Sequence, residues 1–326
     1  MSEASFQQGE GSWLGSAEVY DASGSYAGEG HDSRVVRRDL EDGTVEVTVS
    51  FDGPFRLSGT YVIADHGDHR LYLGPLNHGH AEAFGDRLID TNNYWPDVGL
   101  SQRFFLMVLP DGRTQLSLAL LSRGEQPAYT VVGEYTRRSA GDQGRSAGDQ
   151  GRSAGDQGGS TGDQGRSAGD QGGEEARAGE PAGAGGHHRL LERSGTWSGN
   201  LQVIGADGDE RGATEYSERV EAAGDGRLIV SMTGAGFTDG AVIAFHADGR
   251  QHWTGGGDVV GSETLWGGRA LSGVLLFGSG RLRLWRREVV RRDGSCKGVL
   301  HTWYRGGTRV GVAHGVLEFA PAAPLR

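Results

Sequence analysis

From Thr44 onward the chain alternates strictly. Val45, Val47, Val49 and Phe51 are apolar, and Glu46, Thr48 and Ser50 between them are polar. Successive side chains of a strand point to opposite faces, so this stretch predicts a strand with one buried and one wet face. Residues 34–38 precede it across Glu41-Asp42-Gly43, and together they predict a hairpin. The same reading places strands at 11–20, closed by the turn Asp21-Ala22-Ser23-Gly24, and at 59–64 and 70–73. Further strands fall at 104–109 before Pro110-Asp111-Gly112, at 114–122 and at 129–135. No window carries a helical i, i+3, i+4 pattern of useful length between caps, so helices should be few. The predicted fold class is all-β, with about eight short antiparallel strands closing a small barrel and so removing exposed edges.

The pattern then repeats. Gly11-Ser12-Trp13-Leu14-Gly15 returns as Gly195-Thr196-Trp197-Ser198-Gly199, and residues 62–70 match 242–250 at Val, Ile, Ala, His, Asp and Arg. Asp111-Gly112 followed by Arg123-Gly124 matches Asp293-Gly294 followed by Arg305-Gly306. Nearly constant offsets of this kind imply one barrel copied, with loops trimmed afterwards. The expected domains are residues 1–136 and 195–326, joined by residues 137–194. The joining segment carries five heptads of the type Ser-Ala-Gly-Asp-Gln-Gly-Arg between 139 and 173. No heptad position repeats an apolar residue larger than Ala, which excludes a coiled coil and predicts a flexible tether.

Charge sharpens the division. Residues 1–136 carry a net −11 and residues 195–326 a net +1, with a basic run in the second half at Arg281, Arg283, Arg286, Arg287, Arg291 and Arg292. An acidic first half argues against a nucleic-acid partner. The basic run reads either as a solvated strand face or as a clamp for an acidic ligand. A single cysteine, Cys296, excludes an internal disulfide. No apolar run reaches the roughly 18 residues of a membrane span, and residues 1–8 lack the features of a secretory leader, so a cytoplasmic location with no membrane partner is expected.

A Gly-x-Trp on the first strand of an antiparallel unit of this size resembles the lipocalins and the wider calycin group, including nitrobindin-like and avidin-like barrels. That resemblance implies an arginine lid over the tryptophan at the barrel floor, with Arg123 and Arg305 in the candidate positions. Two such units in one chain are similar in plan to two-domain lipocalin-like enzymes, the carotenoid hydratases and decalin-forming cyclases. No active-site motif of those enzymes carries over to this sequence.

Candidate chemistry lies where the copies disagree. Asp90-Thr91-Asn92-Asn93-Tyr94-Trp95-Pro96-Asp97 reads as a loop at a barrel mouth with no second-half counterpart, Asp90 being the acid–base candidate and Asn92, Tyr94 and Trp95 the ligand contacts. His78 and His80, two apart on a strand, face one way, but the downstream Glu spacing of a cupin is missing and no metal site is expected. His66 and His246 read as turn-capping residues. On the second copy His301 and Trp303 share a face whose first-copy counterparts are Ala119 and Leu121, next to Ser117, so the two interiors should differ. His301 joins Asp90, His78 and His80 as the catalytic candidates, and Trp253, Trp285, Trp303 and Tyr304 join the ligand-binding ones. The leading expectation is a hydrophobic small-molecule ligand in one barrel or at the seam where the two halves pack, with a cofactor-free cyclisation, isomerisation or hydration attached. The alternatives are a carrier or sensor of a ligand such as haem, and a scaffold whose barrels are plugged by their own side chains.

Overall fold

The computed structural model of the chain describes residues 6–39, 41–139, 189–223, 226–234, 239–278 and 281–323. The heptads from Ala140 onward lie outside the described residues. The first unit consists of β1 (Gly11–Asp21), β2 (Tyr26–Arg38), β3 (Thr44–Asp52), β4 (Arg56–His66), β5 (His69–Leu73), β6 (His78–Phe84), β7 (Leu88–Trp95), β8 (Leu100–Val108), β9 (Thr114–Arg123) and β10 (Gln126–Arg137). The second consists of β11 (Gly195–Gly205), β12 (Glu210–Ala223), β13 (Arg227–Gly234), β14 (Val242–Asp248), β15 (Gln251–Gly256), β16 (Val259–Trp266), β17 (Ala270–Phe277), β18 (Leu282–Val290), β19 (Cys296–Arg305) and β20 (Thr308–Pro321). Each unit is an up-and-down antiparallel barrel in which β1 closes on β10 and β11 on β20.

Ten strands close each barrel where about eight were expected. The missed ones, β6 and β7, place polar residues such as His78, His80, Asp90 and Asn92 on the outside and only small or mixed side chains within, so their alternation is faint. Residues 90–97 are therefore not a mouth loop. They are mostly β7, and β17 is its second-barrel counterpart.

Register confirms the duplication. Trp13 pairs with Arg34 as Trp197 pairs with Glu218, and Phe105 pairs with Leu118 as Arg287 pairs with Leu300. Even the bulges recur, after Val19 and Val203 and in the β9–β10 and β19–β20 hairpins. Along β4 the structural match is displaced by two residues from the sequence match, for Val45 faces Ile63 as Leu228 faces Phe245. A shift of two keeps every side chain on its face, so the fold tolerates it.

The repeated glycines have a packing reason. A Cβ on Gly15 would lie 2.1 Å from the Glu134 carbonyl oxygen, and one on Gly199 would lie 2.5 Å from that of Val316, so only glycine lets the closing strand approach. Trp13 and Trp197 are both buried at the floor of their barrels, where a 3-10 turn (Gln7–Gly9 or Leu190–Glu192) covers the end. Trp13 Nε1 donates to the Gly9 carbonyl at 2.9 Å.

The arginine lids are not the expected ones. Arg137 lies 4.8 Å from the Trp13 ring centroid, and Arg193 covers Trp197 and Phe319. Arg123 and Arg305 pair with Gln126 and Thr308 at the other end of the strands, a full barrel length away.

The two barrels pack on each other through equivalent outer faces. Tyr20, Phe84, Leu88, Met107 and Leu118 of the first meet Ile204, Trp266, Ala270, Val289 and Leu300 of the second in one buried apolar cluster. These are matched positions of the two copies, so the seam resembles the self-complementary interface of a twofold dimer fused into one chain. Around it, acids of the first barrel meet cations of the second. Asp90 faces Arg287, Glu82 faces Arg309, Glu18 and Glu134 face the fully buried Arg269, and Glu29 faces Arg292. Five acids of the first barrel are thus matched by four arginines of the second.

Candidate functional site

The interiors of the two barrels diverge as Ala119 and His301 foretold. In the first, Ser117, Ala119 and Leu121 leave room, and a cavity of about 730 Å³ of atom-free space, including its mouth, runs toward the β3–β4 and β7–β8 turns. Its walls are aromatic and aliphatic. Phe51, Phe55 and Tyr129 form a stacked series at centroid distances of 4.7 and 5.1 Å, and Tyr61 stacks on Tyr72 at 5.6 Å and meets the edge of Trp95. Phe55, Leu57 and Val98 line the mouth.

A polar group occupies one wall of this cavity. Arg34 binds Asp32 at 2.5 Å, donates to the Tyr135 hydroxyl at 2.8 Å and lies 4.4 Å from the Tyr135 ring centroid. Ser117 Oγ is 3.3 Å from that hydroxyl. Burial alone would favour a neutral guanidine, but the charge of Asp32 and its hydrogen bonds outweigh it and hold Arg34 protonated above the usual range. Burial pushes the phenols of Tyr61 and Tyr135 well up, so both remain neutral donors. Trp95 Nε1 donates to Gln102 at 2.8 Å. Asn93 also lines the cavity, and its buried Oδ1 has no hydrogen-bond partner among the described residues. A buried carbonyl left so costs of the order of 1 to 3 kcal/mol unless something donates to it.

The second barrel fills the same space. Trp303 and Phe277 stand where Leu121 and Trp95 stand in the first and approach to 5.9 Å. Beneath them lies a buried ion cluster. Lys297 Nζ donates to Glu218 and Glu288 at 2.5 Å each, while Arg286 reaches Glu263 at 2.8 Å, Glu288 at 2.6 Å and Glu218 at 3.1 Å. His301 Nε2 lies 3.1 Å from Glu288. Burial pushes the Glu288 carboxyl up, but Arg286, Lys297 and His301 overcome it and hold the group well below the usual range; Glu263, with Arg286 as its cation, is left raised by burial. Glu218, Glu288 and His301 have the composition of a metal donor set. Lys297 already supplies positive charge to both carboxylates there.

The remaining predicted residues scatter. Asp90 is held by Arg287 through two bonds of 2.6 Å at the seam, so its carboxylate is an ion-pair partner rather than a free base. His80 and Asn92 line a crevice between the barrels with Asp90 and Tyr304, while His78 is exposed and packs beside Gly74. Trp95 lines the first-barrel cavity, whereas Tyr94, next to it, points outward and is 44% exposed. Trp253 is on the outer surface, stacked on His246 at 4.3 Å, which places His246 on β14 rather than in a turn. His66 ends β4 beside the turn to His69, close to where it was expected. Trp285 lies at the seam under Arg103 and Arg287, and Trp303 is core. Sequence reading missed Asp32, Arg34, Tyr61, Tyr72 and Tyr135. The available signal was that Arg34 and Tyr135 fall at inward positions beside the floor tryptophan strand, where Glu218 and Leu317 stand in the second copy.

No protein-family model and no curated protein matches the sequence. Among solved structures, a protein of unknown function of the DUF3598 family from Nostoc punctiforme aligns over 97% of this chain and 97% of its own, with 14% identity and a TM-score of 0.58. At that identity the likeness shows the fold, a duplicated lipocalin-like barrel, and nothing further. An S-type phycobiliprotein lyase from Guillardia theta aligns over 41% of this chain and 91% of its own (8% identity, TM-score 0.33), and the redesigned β-barrel mFAP1, solved with DFHBI bound, over 41% and 100% (10%, TM-score 0.27). Both are too distant to carry an argument about this chain.

Proposed function

We propose that this protein binds an apolar small molecule with a flat ring system inside the first barrel, the second barrel serving as its structural support. The observation that carries the reading is the contrast between equivalent interiors: Ser117, Ala119 and Leu121 leave a hollow lined by Phe51, Tyr61, Tyr72, Trp95 and Phe104, where Val299, His301 and Trp303 fill the matched space. Apolar walls with few fixed polar groups are the usual make-up of a ligand pocket, and here Asn93 supplies an acceptor while Tyr135 and Ser117 supply donors. None of the acid–base candidates Asp90, His78, His80 and His301 lines this cavity. The reading is accordingly of binding, with an attached cyclisation, isomerisation or hydration requiring groups other than these four.

The test is titration of the full chain with the neutral dye Nile red, followed by its emission. Saturable binding in the wild type, lost in Leu121→Trp, which copies Trp303 into the first barrel, supports the proposal. Equal binding by both proteins overturns it. Native mass spectrometry of protein from its own host then identifies the occupant, and a Soret band in that material would favour the haem-carrier reading.

A further inference from the structure

We propose that the crevice between the barrels is a second site, for an oxyanion, with Arg103 as its cation. The crevice is separate from the first-barrel cavity, spans about 540 Å³ of atom-free space counting its open side, and is lined chiefly by polar side chains, among them His80, Asn92, Arg103, Thr302, Tyr304 and Arg309. Its two acids are already neutralised. Asp90 accepts both bonds from Arg287, and Glu82 accepts both from Arg309. Arg103 has neither a hydrogen bond nor an ion pair among the described residues; its guanidinium lies 4.2 Å from the Trp285 ring centroid.

Arg287 lies over the same indole at 3.8 Å, so two like charges share one ring and only one of them is paired. Partial burial, and after it the charge of Arg287, weaken the hold of Arg103 on its proton against the opposing pull of Asp90. Outside the crevice Arg283, with no ion-pair partner among the described residues, adds a further cation stacked on Tyr304 at 4.4 Å. An exposed guanidinium fork on an aromatic platform, beside the Thr302 and Tyr304 hydroxyls and the Asn92 amide, offers more donors than a carboxylate needs and enough for the three terminal oxygens of a phosphate monoester. The shared chemistry is an oxyanion, carried on either a phosphate or a carboxylate. The outward position of Arg103 on β8 matches that of Trp285 on β18, so the platform and its cation are one divergent pair of the duplication brought face to face.

Isothermal titration calorimetry of the full chain at fixed low ionic strength tests this, with sodium phosphate in one arm and sodium acetate in the other. Saturable binding by either anion that weakens by about ten-fold or more in Arg103→Gln, and is kept in Arg123→Gln at the far hairpin, supports the site; the tighter anion names the source. Binding should also weaken as potassium chloride is added. Failure of both anions to bind, or unchanged binding by Arg103→Gln, overturns it. Tyr304→Phe and Thr302→Val remove only hydroxyls and provide a second measure, a weakening with phosphate supporting the site and no change in either counting against it. Neither anion carries a ring for the first-barrel cavity, so the outcome of either arm is distinguishable from that of the Nile red titration.

Discussion

Arg287 of the second barrel grips Asp90 of the first through two parallel bonds of 2.6 Å, although 197 residues separate them in the chain. Arg287 is 2% exposed and Asp90 about a quarter exposed, so the pair closes one edge of the seam and keeps a buried cation compensated.

Removing the carboxylate leaves that cation without a partner. Asp90→Asn should cost about 2 to 3 kcal/mol in urea denaturation, below the full value for a wholly buried pair because Asp90 is partly solvated. Asp90→Leu combined with Arg287→Met should recover part of the loss, whereas additive losses would show that the two side chains do not act together.

The ion cluster inside the second barrel makes a sharper demand. Lys297→Met removes the cation shared by Glu218 and Glu288 and should destabilise the chain by about 3 kcal/mol or more at neutral pH. In the wild type Glu288 is depressed, so its stabilisation is present above the ordinary carboxylate range and is lost as pH falls through its folded value. In the variant Glu218 and Glu288 keep Arg286 but lose the second cation they share, so they bind protons more readily when folded. The gap between variant and wild type should therefore narrow on acidification, as followed by denaturation at a series of pH values.

His314 gives the seam a pH dependence of its own. It is buried against Phe84, and burial lowers its pKa to about 4 from an ordinary 6.5. Between those values the unfolded chain holds a proton that the folded chain lacks, so stability falls as pH drops from about 6.5 to about 4. The shift corresponds to about 3 kcal/mol. His314→Leu should flatten that part of the stability profile, and an unchanged slope would place the titration elsewhere.

Close approach of the barrels rests on Gly298. A Cβ there would stand 3.0 Å from Met107 Sδ and 3.8 Å from Leu116 Cδ1. The end of a methionine can shift, so Gly298→Ala should cost less than about 1 kcal/mol, whereas Gly298→Leu should wedge the seam and cost about 2 kcal/mol or more by thermal or chemical denaturation.

By itself the sequence determined the all-β class, the duplication and the place where the copies differ. Alternation with period two is a local property, visible in Val45, Val47, Val49 and Phe51, and repeated motifs such as Gly-x-Trp-x-Gly need only comparison along the chain. The contrast of Ala119 and Leu121 with His301 and Trp303 located the difference between interiors without saying which was hollow. Tertiary structure decided the rest. Strands β6 and β7 took shape only by pairing, because their outward faces join polar residues to the seam's Phe84 and Leu88 and their inward faces are mixed. The cavity wall of Asp32, Arg34, Tyr61 and Tyr135 and the cluster of Glu218, Glu263, Arg286, Glu288 and Lys297 each collect side chains from several strands. Which of them meet is set by register and by closure of the sheet, and neither is written in any local stretch. The same holds for Asp90 and the basic run: one read as an acid–base group and the other as a solvated face or a clamp for an acidic ligand, until the packing of two barrels made them partners.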